Sequence, residues 1–115
     1  MNKDPFLFLL HIQEAIKAIE SFCENLDEDA FVESILHQSA IVRQLEIIGE
    51  ATKNIPMEFR IKYSQVAWKE IAGLRDVIIH SYFELDLNRI WNVIEKDIPI
   101  LKEGIEKILE IENKK

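Results

Sequence analysis

Apolar residues recur at intervals of three and four along most of this chain, and nowhere do they alternate strictly with polar ones. The first spacing buries one stripe of an α-helix and the second one face of a strand, so the pattern argues for helices alone. Leu9, Ile12, Ile16, Ile19 and Cys23 mark a first helix over about residues 5–24, with Asp4 as its N-cap and Pro5 in its first turn. Asn25-Leu26-Asp27 breaks it, and Asp27 can cap a short helical turn around Ala30–Glu33. A second long helix, about 34–54, carries Ile35, Val42, Leu45, Ile48 and Thr52 or Ile55 on its inner face, and Pro56 stops it. A third begins between Pro56 and Ser64; Ser64 can cap a segment carrying Val66, Ala67, Ile71, Leu74 and Ile78. A fourth runs from an Asp86 N-cap to about Glu112, with Ile90, Ile94, Ile98, Leu101, Ile105 and Ile108 facing inward. Pro99 should kink it by freeing the carbonyl of Glu95.

The expected fold is therefore all-α, an up-and-down bundle of four to five helices. With 115 residues, one domain over 1–112 is expected, followed by a short disordered tail at 113–115. No apolar run approaches the ~18–20 residues of a membrane span, and the five-residue run closed by His11 is no secretory signal. Cys23, the sole cysteine, has no internal disulfide partner and reads as a buried small hydrophobe. A cytoplasmic location is the expectation.

Charge is unevenly placed. The chain holds 14 basic and 21 acidic residues, a net of -7, and residues 1–59 carry 4 basic against 11 acidic. A general nucleic-acid binder needs concentrated positive charge, so any contact with RNA must be local.

Most catalytic templates are missing: there is no GxGxxG, no GxxxxGK[ST], no HExxH and no paired CxxC. No metal or cofactor is expected. His11 and His37 lack a second ligand-type residue at a metal-binding spacing, and Trp68 and Trp91 fall among core aliphatics. His80 differs, because Leu74-Arg75-Asp76-Val77-Ile78-Ile79-His80-Ser81-Tyr82-Phe83 gathers Arg, Asp, His, Ser and Tyr within eight residues. On a helix, Arg75 and Tyr82 share a face about 10 Å apart, while Arg75 and His80 lie about 140° apart. The latter two can converge through a π-type turn, by side-chain reach near a helix end, or across a symmetric dimer. The plainer reading is a helix end, with Arg75 paired to Asp76 or Glu70 and His80 near the last carbonyls. Arg and His together also suit phosphodiester chemistry: a guanidinium grips phosphate oxygens and an imidazole moves protons near neutral pH.

The sequence Arg75-x4-His80-x-Tyr82 resembles the signature of HepT-like toxins, minimal members of the HEPN superfamily. So do Asp4-Pro5, Arg43-Gln44-Leu45-Glu46-Ile47-Ile48-Gly49-Glu50-Ala51, Trp68 through Asp76, and Asp86-Leu87 followed by Trp91 and Asp97-Ile98-Pro99. The resemblance implies a HEPN-like homodimer whose paired motifs form a metal-independent endoribonuclease cleft. It makes His80 the general acid/base and Arg75 the stabiliser of transition-state charge, with 2′,3′-cyclic phosphate products. Asp76 would orient Arg75 or tune its charge. The resemblance also implies the toxin role in a type VII-like toxin–antitoxin module. The partner would be an MntA-like minimal nucleotidyltransferase antitoxin that places AMP on Tyr82. Glu46 and Glu50 either line the cleft or are merely solvated, and Arg43 is a second phosphate contact or their salt-bridge partner. Gly49 and Gly73 each cost a helix about 1 kcal/mol against Ala, so close helix packing is expected at both. The alternative is a catalytically silent helical dimer that binds a minimal nucleotidyltransferase or a nucleotide.

Overall fold

Local capping chemistry sets where the helices begin. In the computed structural model, which describes residues 4–114, the Asp4 carboxylate accepts from the Phe6 amide at 2.9 Å and opens α1 (Pro5–Phe22). Asn25, at φ 59°, turns the chain out of it. Asp27 then caps α2 (Glu28–Glu33) by accepting from the Ala30 amide at 2.8 Å. Ser34 ends α2 and caps α3 (Ile35–Lys53). These starts follow from side chains that satisfy otherwise unpaired amides within a turn of themselves.

The core is assembled by α1 lying along α3, with α8 (Ile98–Asn113) against α1 and α6 (Leu74–Phe83) against α3. Leu9, Ile12, Ile41, Leu45, Ile48 and Ile78 are fully enclosed there. Gln38, also buried, donates from Nε2 to the carbonyls of Phe31 and Val32 at 2.9 Å each, which ties α2 to α3. Ile35 departs from the expected inner face: it is 74% exposed because the first turn of α3 overhangs the core. Val42, Leu45, Ile48, Thr52 and Ile55 are buried as expected.

The third helix is not one helix. Beyond Pro56 come α4 (Met57–Lys62), α5 (Trp68–Ala72) and α6 (Leu74–Phe83), and Ser64 caps none of them. The buried indole of Trp68 donates to the Tyr63 carbonyl at 2.9 Å and starts α5 after the turn, with Ala67 at the cap position. Gly73 separates α5 from α6.

Leu85 ends α6 with a left-handed φ of 59°, and the Asp86 amide reaches back to the Ser81 carbonyl at 2.8 Å. This is a Schellman-like closure with leucine where glycine is usual. Asp86 accepts from the Arg89 amide at 3.3 Å and starts α7 (Leu87–Asn92). The response to Pro99 is a π-turn over Val93–Asp97 rather than a simple kink: the Ile98 amide donates five residues back, to Val93, before α8 (Ile98–Asn113) proceeds. Widening the ladder by one residue makes room for a proline ring that cannot donate. Ile90, Ile94, Ile98, Leu101, Ile105 and Ile108 all face inward. The helix continues through Asn113, with Lys114 as its C-cap, and Lys115 lies outside the described residues. The chain is thus all-helical among its described residues, and none of those helices is long and apolar enough to cross a membrane.

Candidate active site

Arg75 sits one residue into α6, where α6 crosses α3. The crossing is close because Gly49 has no side chain. A Cβ there would lie 3.1 Å from the Arg75 amide nitrogen and 3.3 Å from the Arg75 Cβ. Gly73 is different: an added Cβ would meet only the carbonyls of Lys69 and Glu70, at 3.6 and 3.7 Å. The expected close packing therefore holds at Gly49 and not at Gly73.

From this crossing the guanidinium reaches back over α3. Its Nε is 3.6 Å from Glu50 Oε1 and 4.0 Å from Glu46 Oε2. Those two carboxylates, not Asp76 or Glu70, are the partners of Arg75. Asp76 is exposed in the first turn of α6. Arg75, Glu46 and Glu50 line an open cavity of about 510 Å³ with Arg43, and Phe8 and His11 of α1 line it too. Arg43 is exposed and forms no ion pair with a described residue. Both glutamates line this cavity, and among the described residues they pair with Arg75 and Lys53 rather than with Arg43.

His80 stands apart. Helix α6 is regular from Leu74 to Phe83, so no π-turn brings His80 round to Arg75. Its side chain is 68% exposed and its Nε2 is 3.1 Å from Glu84 Oε1, one turn on. Tyr82 lines a second groove, of about 330 Å³, with Ser39, Val42, Glu46, Ile79 and Phe83. Glu46 lines both hollows, so the Arg75 cavity and the Tyr82 groove adjoin at that residue. Exposed Phe83 continues that groove's apolar surface. Ser81, between the two motif residues, is buried and its hydroxyl has no hydrogen-bond partner among the described residues.

Sequence reasoning did not single out Phe8 or Asn54 as pocket residues, and considered His11 only as a metal ligand. Their spacing is that of any amphipathic helix, so no local signal marks them. Among the described residues no group of three or more His, Cys, Asp or Glu side chains is placed to hold a metal ion.

The family model described as Ribonuclease HepT-like matches residues 12–108. A "Putative RNase" of Caldanaerobacter subterraneus is 44% identical over 110 residues, covering 96% of this chain and 98% of that relative. A "Probable ribonuclease HepT" of Thermococcus cleftensis is 42% identical over 101 residues, 88% of this chain and 92% of its own. A Methanocaldococcus jannaschii protein named "Gamma-glutamylcyclotransferase and putative RNase" is 51% identical over 110 residues, 96% of this chain. The matched region is 50% of that protein, so the chain spans about half its length. No solved structure matches the chain.

Proposed function

Since the chain belongs to the Ribonuclease HepT-like family, we propose that it is a metal-independent endoribonuclease whose site is completed by a second copy of itself. The observation that carries this reading is the separation of the motif residues. Arg75 is held over α3 by Glu46 and Glu50, whereas His80 points elsewhere from the same straight helix. The apolar groove between α3 and α6, with Ile79, Tyr82 and Phe83 on its α6 side, is the surface on which a two-fold partner would pack. Such a dimer sets the Arg75 of one protomer against the His80 of the other.

The chemistry follows from the residue types. With Nε2 held at Glu84, the ring's Nδ1 is the free nitrogen that takes the proton from a ribose 2′-hydroxyl. The 2′-oxygen attacks the adjacent phosphorus and the bond to the 5′-oxygen breaks. The proton is returned to that leaving oxygen. Products are a 2′,3′-cyclic phosphate and a 5′-hydroxyl. Arg75 donates to the non-bridging oxygens as negative charge builds on them. Asp76 tunes the charge around Arg75 from the neighbouring position.

In this reading the protein is the toxin of a type VII-like toxin–antitoxin module. An MntA-like nucleotidyltransferase would transfer AMP from ATP to the Tyr82 hydroxyl, releasing pyrophosphate. Glu46 lines both the Tyr82 groove and the Arg75 cavity, so the two adjoin, and AMP on that ring would place a phosphate and a nucleoside near the guanidinium that RNA must use. The acidic first half offers a surface to a basic partner.

The test is digestion of a mixed RNA pool by purified protein in EDTA, with end-group analysis, beside His80→Ala. Cyclic-phosphate ends that vanish in the variant support the reading. If protein shown by mass to carry no AMP leaves the RNA intact, the enzyme assignment fails. The net charge of -7 then favours the second reading, a silent helical dimer that binds a nucleotidyltransferase or a nucleotide.

A further inference from the structure

The cavity beside Arg75 has a wall that the proposed chemistry does not use. Phe8 and His11 of α1 meet there edge to face, with ring centroids 6.1 Å apart and planes at 88°. Ile47 and Ala51 of α3 add apolar surface to the same cavity. Aromatic rings beside an apolar floor are what an unpaired nucleobase stacks on.

The cavity is lined by two basic side chains, Arg43 and Arg75, beside two acidic ones, Glu46 and Glu50, both of which pair with Arg75. Between residues 4 and 59 there are only three basic side chains, Lys17, Arg43 and Lys53, against eleven acidic ones. Arg43 lines this cavity, and Lys53 pairs with its rim residue Glu50 at 3.6 Å. Glu46 lies one turn from Arg43 on α3 yet turns to Arg75, so Arg43 keeps a guanidinium with no carboxylate partner among the described residues. The cavity, about 510 Å³, falls in the ~300–1,000 Å³ range of small-ligand sites and has room for one nucleotide.

We infer that this cavity is a nucleotide subsite for single-stranded RNA. The Phe8–His11 pair stacks one base next to the scissile phosphate, and Arg43 holds the following phosphate. The inference rests on the ribonuclease reading and adds to it: this subsite decides which nucleotide beside Arg75 is gripped, and so where along a strand the cut falls.

The experiment is equilibrium binding of fully 2′-O-methylated RNA hexamers, which lack the attacking hydroxyl, to wild-type protein. Each hexamer in the series carries one abasic ribose at a different position. One position should raise Kd about fivefold or more in the wild type. That position should have little effect in His11→Ala, whose ring is exposed, or in Phe8→Leu, which keeps the apolar bulk that packs on the core. Arg43→Ala should weaken all hexamers alike and flatten the salt dependence. Uniform binding across the abasic series, or the same loss persisting in both aromatic variants, overturns the subsite. Cleavage of the unmethylated parent RNA is measured separately. Position-dependent binding without cleavage sinks the ribonuclease reading and keeps the subsite, and cleavage with uniform binding does the reverse.

Discussion

Arg75 Nε lies 3.6 Å from Oε1 of Glu50, the residue that follows Gly49 where α3 and α6 touch. In the proposed ribonuclease, this contact would hold the Arg75 guanidinium against carboxylates until an RNA phosphate displaces them. Because the Arg75 side chain is 43% exposed, the pair is screened by water and salt and adds little to stability.

Glu50→Gln should therefore tighten RNA binding. In about 50 mM salt Kd should fall several-fold, and the difference should shrink towards about 0.3 M as screening shortens the reach of the charge. Unchanged affinity at low salt would show that Glu50 does not compete with phosphate.

A site shared between protomers makes a mixing prediction. Arg75→Ala and His80→Ala should each lose at least about a hundredfold in cleavage rate with an unchanged helical CD spectrum. Random re-pairing of the two variants should restore roughly a quarter of wild-type activity, since each mixed dimer regains one intact site. Mixtures as inactive as their components would place both residues of a working site in one protomer.

Gly49, at the crossing, and Gly73, between α5 and α6, should respond oppositely to alanine. At Gly49 the added methyl meets the Arg75 backbone, which cannot swing aside, so an overpacking cost of about 1–3 kcal/mol outweighs the helix-propensity gain. At Gly73, with φ -83° and only ordinary contacts, alanine should be neutral or stabilise by up to about 1 kcal/mol. Urea denaturation distinguishes them, and RNA cleavage should fall only in Gly49→Ala.

Leu85→Gly should stabilise the fold. Leu85 is 76% exposed and holds a left-handed φ of 59°, so glycine removes strain of about 1 kcal/mol and loses little burial. A lower midpoint in denaturant would mean that the leucine side chain is covered by a partner.

Alkaline stability should depend on Tyr63. Burial, and then the Glu112 carboxylate bonded to its hydroxyl, hold that phenol protonated above its ordinary range. The unfolded chain releases the proton at pH ~10 while the folded chain keeps it. Stability is thus whole below pH ~10 and falls as pH rises beyond it. Tyr63→Phe should flatten the slope of Tm against pH in that alkaline window; an equal slope would place the titration elsewhere.

The elements themselves were legible in the sequence because their causes are local. Asp4, Asp27 and Asp86 cap helices by bonding amides two or three residues away. The stripe from Ile90 to Ile108 stays buried because the i, i+4 spacing keeps it on one face. The same locality explains the misses. Ile35 fits the inner stripe of α3, yet periodicity cannot tell where that helix overhangs its neighbours. The break at Gly73 leaves the apolar spacing almost undisturbed, so two helices read as one.

Arg75, His80 and Tyr82 stood out through their order and its resemblance to the HepT-like signature, but their surroundings could not be read this way. Glu46 and Glu50 meet Arg75 only because Gly49 lets α3 and α6 approach, and Phe8 and His11 line that cavity only because α1 lies along α3. Forces that act within a turn or two fixed the starts of α1, α2 and α7, and the order of Arg75, His80 and Tyr82 is the sequence itself, so both could be read from the chain. The partners of those side chains were decided by the tertiary structure, because helix crossings depend on the shape of surfaces far apart in the chain.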